Sequence, residues 1–184
     1  MRNPVLALFL FATVKLVSVL APVSASAQQP AVAPPAYPLD AVPDKMPFAT
    51  PYGAPIALAR AQAAIAAAQA EAEKRGWPLN IAVVDSGANL VAFARMDGAQ
   101  LASVAIAEHK ARAAASFRRP TKVFEEAVQK MDFKYVLTLD GIIASRGGIP
   151  LIEDGKLIGA IGCSGGTGSQ DEVVCAAGAA TINK

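Results

Sequence analysis

The sequence is poor in the side chains that most often bind transition metals. It contains one histidine and two cysteines, and the cysteines do not form a C-x-x-C pair. A structural zinc site takes about four closely spaced Cys or His ligands, so the composition argues against one. In an oxidising compartment Cys163 and Cys175 can form one disulfide. The alternative is a pair of buried, apolar thiols.

The sequence also lacks an excess of charge of either sign. It has 17 basic and 15 acidic residues. Two of the basic residues, Arg2 and Lys15, lie in the first 27 residues, which hold no acidic residue. Without that segment the chain is neutral overall, so its net charge gives no reason to expect a nucleic-acid partner.

Residues 1–27 have the features of a secretory signal peptide. Arg2 supplies a positive start, an apolar stretch runs from Val5 to Leu20, and Ala25-Ser26-Ala27 resembles a cleavage site. Lys15 interrupts the apolar stretch, which argues against a membrane-spanning helix. We expect no membrane span once the signal peptide is removed. We therefore expect an exported protein, either periplasmic or extracellular.

The rest of the chain divides into a leader and one domain. Residues 28–51 are rich in proline, which fixes φ and removes hydrogen-bond donors, so we expect an extended leader. It is either a spacer or a strap that packs onto the domain through Tyr37, Phe48 and Tyr52. Residues 52–184 are long enough to form a single domain with its own core.

Periodicity and turn residues predict the elements of that domain. The long helices have apolar stripes at helical spacing, and Asp154-Gly155 is typical of a two-residue hairpin turn. The fold class is therefore α+β, with an antiparallel sheet of about five strands flanked by helices. We predict helices over 57–75, 100–117 and 122–129 and from Ser169, which with Glu172 could form a capping box, and strands over 80–84, 89–95, 149–153 and 156–162, with a further possible strand over 135–145.

Gly162-Cys163-Ser164-Gly165-Gly166 fits the G-x-S-x-G pattern of a serine hydrolase. No histidine follows Ser164, and the chain predicts hairpins rather than a parallel sheet, so a catalytic Ser164 is disfavoured. We expect these glycines to allow close packing instead. The glycines of residues 165–168 also lead into a helix N-terminus, where free N–H groups could bind an anion.

Four segments of the chain together carry a resemblance to known proteins. They are "YGAPIALARAQAA" at 52–64, "IAVVDSGANLVAFARMDGA" at 81–99, "IAEHKARAAASFRRPTKVFEEAV" at 106–128 and "GGIPLIEDGKLIGAIGCSGGTGSQDE" at 147–172. These segments resemble the GlcG/HbpS-like family of haem-binding or haem-degrading proteins. The resemblance implies an antiparallel sheet flanked by helices, assembly into homo-oligomers and, for some members, haem binding. It also implies that exported members can serve as accessory partners of sensor kinases.

The resemblance directs attention to the helix over 100–117. Family members often have a threonine, linked to haem, where this chain has Ala113. His109 lies one turn earlier on the same stripe, which makes it the first candidate for an iron ligand; the alternative is an ordinary half-buried histidine. Phe117 continues the stripe and could stack on a porphyrin. Met96, Met131 and Tyr135 are weaker iron candidates.

Basic residues border this stripe. Lys110, Arg112 and Arg119 could bind haem propionates, since guanidinium groups pair well with carboxylates. The alternative is a solvated helix end whose cations favour the negative pole of the helix dipole.

The sequence leaves three functions open. The first is an exported haem-binding protein, acting as a carrier, a scavenger or a sensor accessory. The second is a small-molecule enzyme for haem degradation or organic-acid metabolism, although no coherent set of nucleophile, base and oxyanion donors is visible. The third is a structural oligomer with a vestigial pocket. In the first two cases the partner is a small-molecule ligand.

Overall fold

The computed structural model describes residues 42–183. The predicted signal peptide and most of the predicted leader lie outside these residues. The elements are α1 (Leu58–Arg75), β1 (Asn80–Asp85), β2 (Leu90–Arg95), α2 (Ala102–Ser116), α3 (Lys122–Met131), a 3₁₀ helix (Lys134–Thr138), β3 (Gly148–Glu153), β4 (Lys156–Ser164) and α4 (Gly168–Ala179). None of the helices within residues 42–183 is long and apolar enough to cross a membrane.

The strands form one antiparallel sheet in the order β2-β1-β4-β3. The predicted α+β fold with an antiparallel sheet is therefore confirmed. β4 pairs with β1 on one side and β3 on the other, and it is buried along almost its whole length. Asp154 and Gly155, with φ of 48° and 71°, make the tight turn between β3 and β4. Positive φ at both central residues is what a type I′ turn requires.

The possible strand over 135–145 is wrong, and the sheet has four strands within the described residues. α3 ends where Asp132 adopts a left-handed conformation. The backbone that follows makes short-range hydrogen bonds instead of pairing with another strand. The Lys134 N–H donates to the Asp132 carbonyl, and the Val136 N–H donates to the Phe133 carbonyl. A 3₁₀ helix results, because short-range bonds satisfy the backbone before a strand can pair.

The sheet is covered on both faces. α1 and α4 pack over the face that includes Ile81 and Ile161, and α2 packs over the face that includes Ala82 and Ala160. The glycines of β4 make the second contact possible. A Cβ at Gly162 would lie only 2.2 Å from the carbonyl oxygen of Ala107 in α2. The predicted packing role of these glycines follows from this close approach.

A disulfide joins β4 to α4. Cys163 and Cys175 are bonded with a Cα–Cα distance of 5.6 Å, within the usual range. The predicted pairing is therefore confirmed. The predicted Ser169–Glu172 capping box is wrong, because α4 begins slightly earlier. The Gln170 N–H donates to the Thr167 hydroxyl, and the Thr167 N–H donates to the Gln170 side chain.

Candidate functional site

The end of β4 is closed around the serine of the G-x-S-x-G motif. Ser164 is buried, and its hydroxyl donates to the Ser103 hydroxyl at 3.0 Å. The Ser103 hydroxyl also accepts a hydrogen bond from Gln100 at 2.6 Å. Ser164 is thus held by the start of α2, and its hydroxyl bonds to a neutral hydroxyl rather than to a base. This arrangement fits a structural serine.

The predicted anion site at the start of α4 is filled by the chain itself. The Gly166 N–H donates to Asp171 at 3.0 Å, and the Thr167 N–H donates to Gln170 at 2.9 Å. The prediction was wrong because side chains of α4 fold back onto its own N-terminus, where negative charge is favourable. An external anion would have to displace the Asp171 carboxylate from this position.

Lys110 is the partner of that carboxylate. Its ammonium donates to Asp171 at 2.7 Å, and both side chains are almost fully buried, with 1% and 3% exposure. Burial raises the pKa of Asp171, and Lys110 and the loop N–H groups offset part of this rise. The expectation that Lys110 binds a propionate is therefore corrected. Its position on α2 faces the interior, beside the buried Ala107 and Ala111.

The other predicted residues of α2 share one face of the helix but differ in burial and contacts. His109 is half-buried, and within the described part of the chain its side chain makes no hydrogen bond or ion pair. Arg112 is exposed and pairs with Glu108 at 2.6 Å. Ala113 is buried. None of these three side chains lines the apolar groove at the C-terminal end of α2.

A groove at the far end of α2 contains the remaining predicted residues. We call it the α3 groove. It lies between the end of α2, α3 and the 3₁₀ helix, and it has a volume of about 420 Å³. Its lining is mostly apolar and comprises Phe48, Phe117, Arg119, Val123, Phe124, Glu126, Ala127, Met131, Phe133, Tyr135, Val136 and Leu139. Phe117 and Arg119 were predicted as site residues, and Met131 and Tyr135 as weaker iron candidates.

Aromatic rings form the walls of the α3 groove. Phe117 and Phe124 pack edge to face with centroids 5.3 Å apart, and Phe133 lies 6.0 Å from Tyr135. Phe124, Ala127 and Val136 are buried and form a small core of their own, against which Phe117 and Phe133 pack. This packing holds the rings, so the groove presents flat apolar surfaces.

Arg119 is the exceptional charge in this groove. Its guanidinium lies 3.5 Å from the ring centroid of Phe48 and 5.6 Å from that of Phe124. Its Nε donates to the Phe117 carbonyl at 3.0 Å. No ion pair among residues 42–183 includes Arg119. Burial lowers the pKa of Arg119, and the neighbouring Arg118 charge lowers it further.

The other charged residue of the lining is already neutralised. Glu126 pairs with Lys130 at 2.8 Å, and that hydrogen bond is the main reason why the pKa of Glu126 is lowered. Arg119 therefore supplies the uncompensated charge of the groove. A ligand with an apolar plane and a carboxylate would match the aromatic walls and this guanidinium.

Phe48 comes from the proline-rich leader and was named only as a point where that leader could pack onto the domain, not as a site residue. It lies at the start of residues 48–56, which we call the N-terminal strap. A weak signal was present, because Phe124, Phe133 and Tyr135 cluster along one short stretch of sequence. Their common location required the left-handed turn at Asp132, which the sequence pattern did not reveal.

Known proteins are similar to this chain in sequence and in fold. The family model described as "Haem degrading protein HbpS-like" matches residues 56–180. Protein GlcG of Escherichia coli strain K12 is 44% identical over 96 residues, which cover 52% of this chain and 71% of GlcG.

Two solved structures extend the comparison. A double mutant of HbpS from Streptomyces reticuli has a TM-score of 0.65 at 30% identity, covering 84% of this chain and 100% of that chain. The PduOC:heme complex has a TM-score of 0.63 at 26% identity, covering 70% of this chain and 96% of that chain. The family description and one solved relative both concern haem.

Proposed function

The chain belongs to the HbpS-like family, and we propose that it binds haem in the α3 groove. The observation that carries the proposal is the pairing of aromatic walls with Arg119, a partly desolvated cation without a carboxylate partner among residues 42–183. A porphyrin has the complementary chemistry, with a flat apolar macrocycle and propionates along one edge. The volume of about 420 Å³ lies within the range of small-molecule sites.

Each part of the groove has a distinct role in this proposal. Phe117 and Phe124 provide apolar contact with the macrocycle. Arg119 binds a propionate through its terminal nitrogens, since its Nε is already bonded to the Phe117 carbonyl. A ligand carboxylate would also relieve the penalty that burial places on this cation.

Tyr135 is the iron ligand that this proposal names. Its side chain and that of Met131 line the groove and are 50% and 53% exposed, so both can turn toward a bound ligand. Tyrosine and methionine both ligate haem iron in proteins. A phenolate oxygen is harder than a thioether sulfur and suits ferric iron better. His109, the candidate from the sequence, does not line the groove.

A hemin titration tests the site and the ligand together. Purified protein should give a shifted Soret band with saturable binding, and Tyr135→Phe should change that spectrum. Met131→Leu and His109→Ala are matched controls that should leave it unchanged. A flat titration would reject haem binding, and a spectrum lost only in His109→Ala would move the ligand back to α2.

Export is the second part of the proposal. The signal-like residues 1–27 and the buried Cys163–Cys175 disulfide both support an oxidising compartment outside the cytoplasm. In that setting the protein would carry or scavenge haem. Fractionation of cells that express the full chain should recover a processed, oxidised protein outside the cytoplasm. An unprocessed cytoplasmic protein with free thiols would contradict this location.

Haem degradation is the competing function, because the matching family model is described by that activity. The same titration distinguishes the two functions over time. A carrier keeps a stable Soret band in the presence of a reductant and oxygen. A progressive loss that requires the folded protein would instead indicate degradation.

A further inference from the structure

The N-terminal strap is firmly attached at one end. The Leu157 N–H donates to the Pro51 carbonyl at 2.8 Å, and the Gly53 N–H donates to the Leu157 carbonyl at 2.7 Å. The Tyr52 hydroxyl donates to the Ser116 carbonyl at 2.8 Å. These bonds tie residues 51–53 of the strap to β4 and to the end of α2, so this end of the strap is fixed.

The other end of the strap reaches the groove through Phe48. Its ring lies over the Arg119 guanidinium at 3.5 Å and is one of the groove walls. Its backbone has φ of 58°, in the left-handed region that disfavours residues with a Cβ. Residues 43–49 are exposed. Phe48 thus combines a strained backbone conformation with a close contact to Arg119.

We propose that Phe48 gates the α3 groove. This inference rests on the proposed function and specifies its regulation: a planar aromatic acid reaches Arg119 only when the Phe48 ring leaves the guanidinium face. Backbone strain favours the open strap, whereas the cation–π contact favours the closed strap. Because the two effects oppose each other, the strap can exchange between both states. The hinge lies between Phe48 and Thr50, whose carbonyl accepts a hydrogen bond from Arg118 at 3.1 Å.

Substitutions of Phe48 test the gate directly. If the open strap is populated at roughly a tenth, Phe48→Ala raises the hemin association rate constant about tenfold. Phe48→Trp should slow association, because indole makes the stronger cation–π contact. Both are measured by stopped-flow absorbance, with thermal unfolding as a check on the fold. An unchanged or slower rate in Phe48→Ala would overturn the gate.

A double-variant comparison identifies the contact that closes the gate. In an Arg119→Met background the ring of Phe48 loses its cationic partner. The effect of Phe48→Ala on the association rate should therefore shrink to less than about twofold. A full effect in that background would show that Phe48 acts without Arg119 and would reject this mechanism.

A second probe separates the gate from haem binding itself. Anilinonaphthalene sulfonate is a planar aromatic anion that can report on groove access. Its fluorescence with Phe48→Ala should exceed that with the unaltered chain, and Leu101→Ala, at an exposed position on α2's N-terminal side, is the control. If hemin binds neither protein but the dye still distinguishes them, the proposed function fails and the gate stands. Equal dye binding rejects the gate.

Discussion

Two basic side chains of the same stretch of sequence, Lys110 within α2 and Arg119 just after it, have opposite surroundings. Lys110 is buried and its charge is met by Asp171 at 2.7 Å. Arg119 lies in a groove and is met by two aromatic rings and a carbonyl, without a carboxylate. A cation that is neutralised within the chain serves the fold, whereas one left uncompensated beside apolar walls is suited to a ligand.

Substitution of Lys110 should give the largest loss of stability. Lys110→Met leaves the buried Asp171 carboxylate without its cation and should lower the free energy of unfolding by about 3–5 kcal/mol. Urea denaturation measures the change. The control is Lys110→Met combined with Asp171→Asn, which removes both charges and should recover much of the loss. A single variant as stable as the unaltered chain would contradict a structural role for the pair.

Reduction of the disulfide should give the second-largest loss of stability. Reduction of Cys163–Cys175 opens a loop with a sequence separation of 12 and should lower stability by about 2–3 kcal/mol. The melting temperature is compared with and without a thiol reductant. A Cys163→Ala, Cys175→Ala double variant should already melt at the lower temperature and should not respond to the reductant. Equal melting of the oxidised and reduced protein would remove the disulfide from the stability argument.

Substitution of Arg119 should affect ligand binding more than stability. Arg119→Met should lower the free energy of unfolding by less than about 2 kcal/mol, because it loses contacts with two aromatic rings and one carbonyl but no ion pair within residues 42–183. Hemin affinity should fall about tenfold or more, since a charge-assisted hydrogen bond contributes about 1.5–3 kcal/mol.

Arg112→Met is the matched control for this variant. Arg112 is exposed on α2 and pairs with Glu108, outside the α3 groove, although the sequence made it an equal candidate for a propionate. Its replacement should leave hemin affinity unchanged. If Arg112→Met weakened binding and Arg119→Met did not, the ligand would lie on the other side of α2.

The comparison also explains what the sequence could predict. The hairpin at Asp154-Gly155 and the glycines of β4 depend on local backbone geometry, and both were predicted correctly. The burial of Lys110 depends on Asp171, which lies 61 residues away in the sequence. Lysine is rarely buried without a partner, so the helical stripe alone placed Lys110 at the surface.

The location of the groove could not be predicted from the sequence, for a related reason. Periodicity placed Phe117 on a stripe with His109, but Phe117 lies at the C-terminal end of α2, where the chain turns. Its neighbours in space come from α3, the 3₁₀ helix and the strap rather than from α2. The helical stripe therefore included one residue of the groove lining, Phe117, and gave no information about the elements that enclose the groove.

The smallest effect tests how completely Lys110 offsets the burial of Asp171. The pKa of Asp171 is raised above its ordinary value of 3.8, chiefly by burial. A raised pKa means that the folded state holds the proton more tightly than the unfolded state does. The contribution of this group to stability is therefore present below pH 3.8 and is lost as the pH rises through the folded pKa.

The comparison of the unaltered chain with Asp171→Asn isolates this contribution, because the other carboxylates titrate in both proteins. The free energy of unfolding of the unaltered chain, minus that of the variant, should decrease as the pH rises from 3.8 through the folded pKa of Asp171. Urea denaturation at a series of pH values measures this difference. A difference that increases with pH over the same interval would mean that Lys110 more than offsets burial, and that the pair stabilises Asp171 in its ionised form.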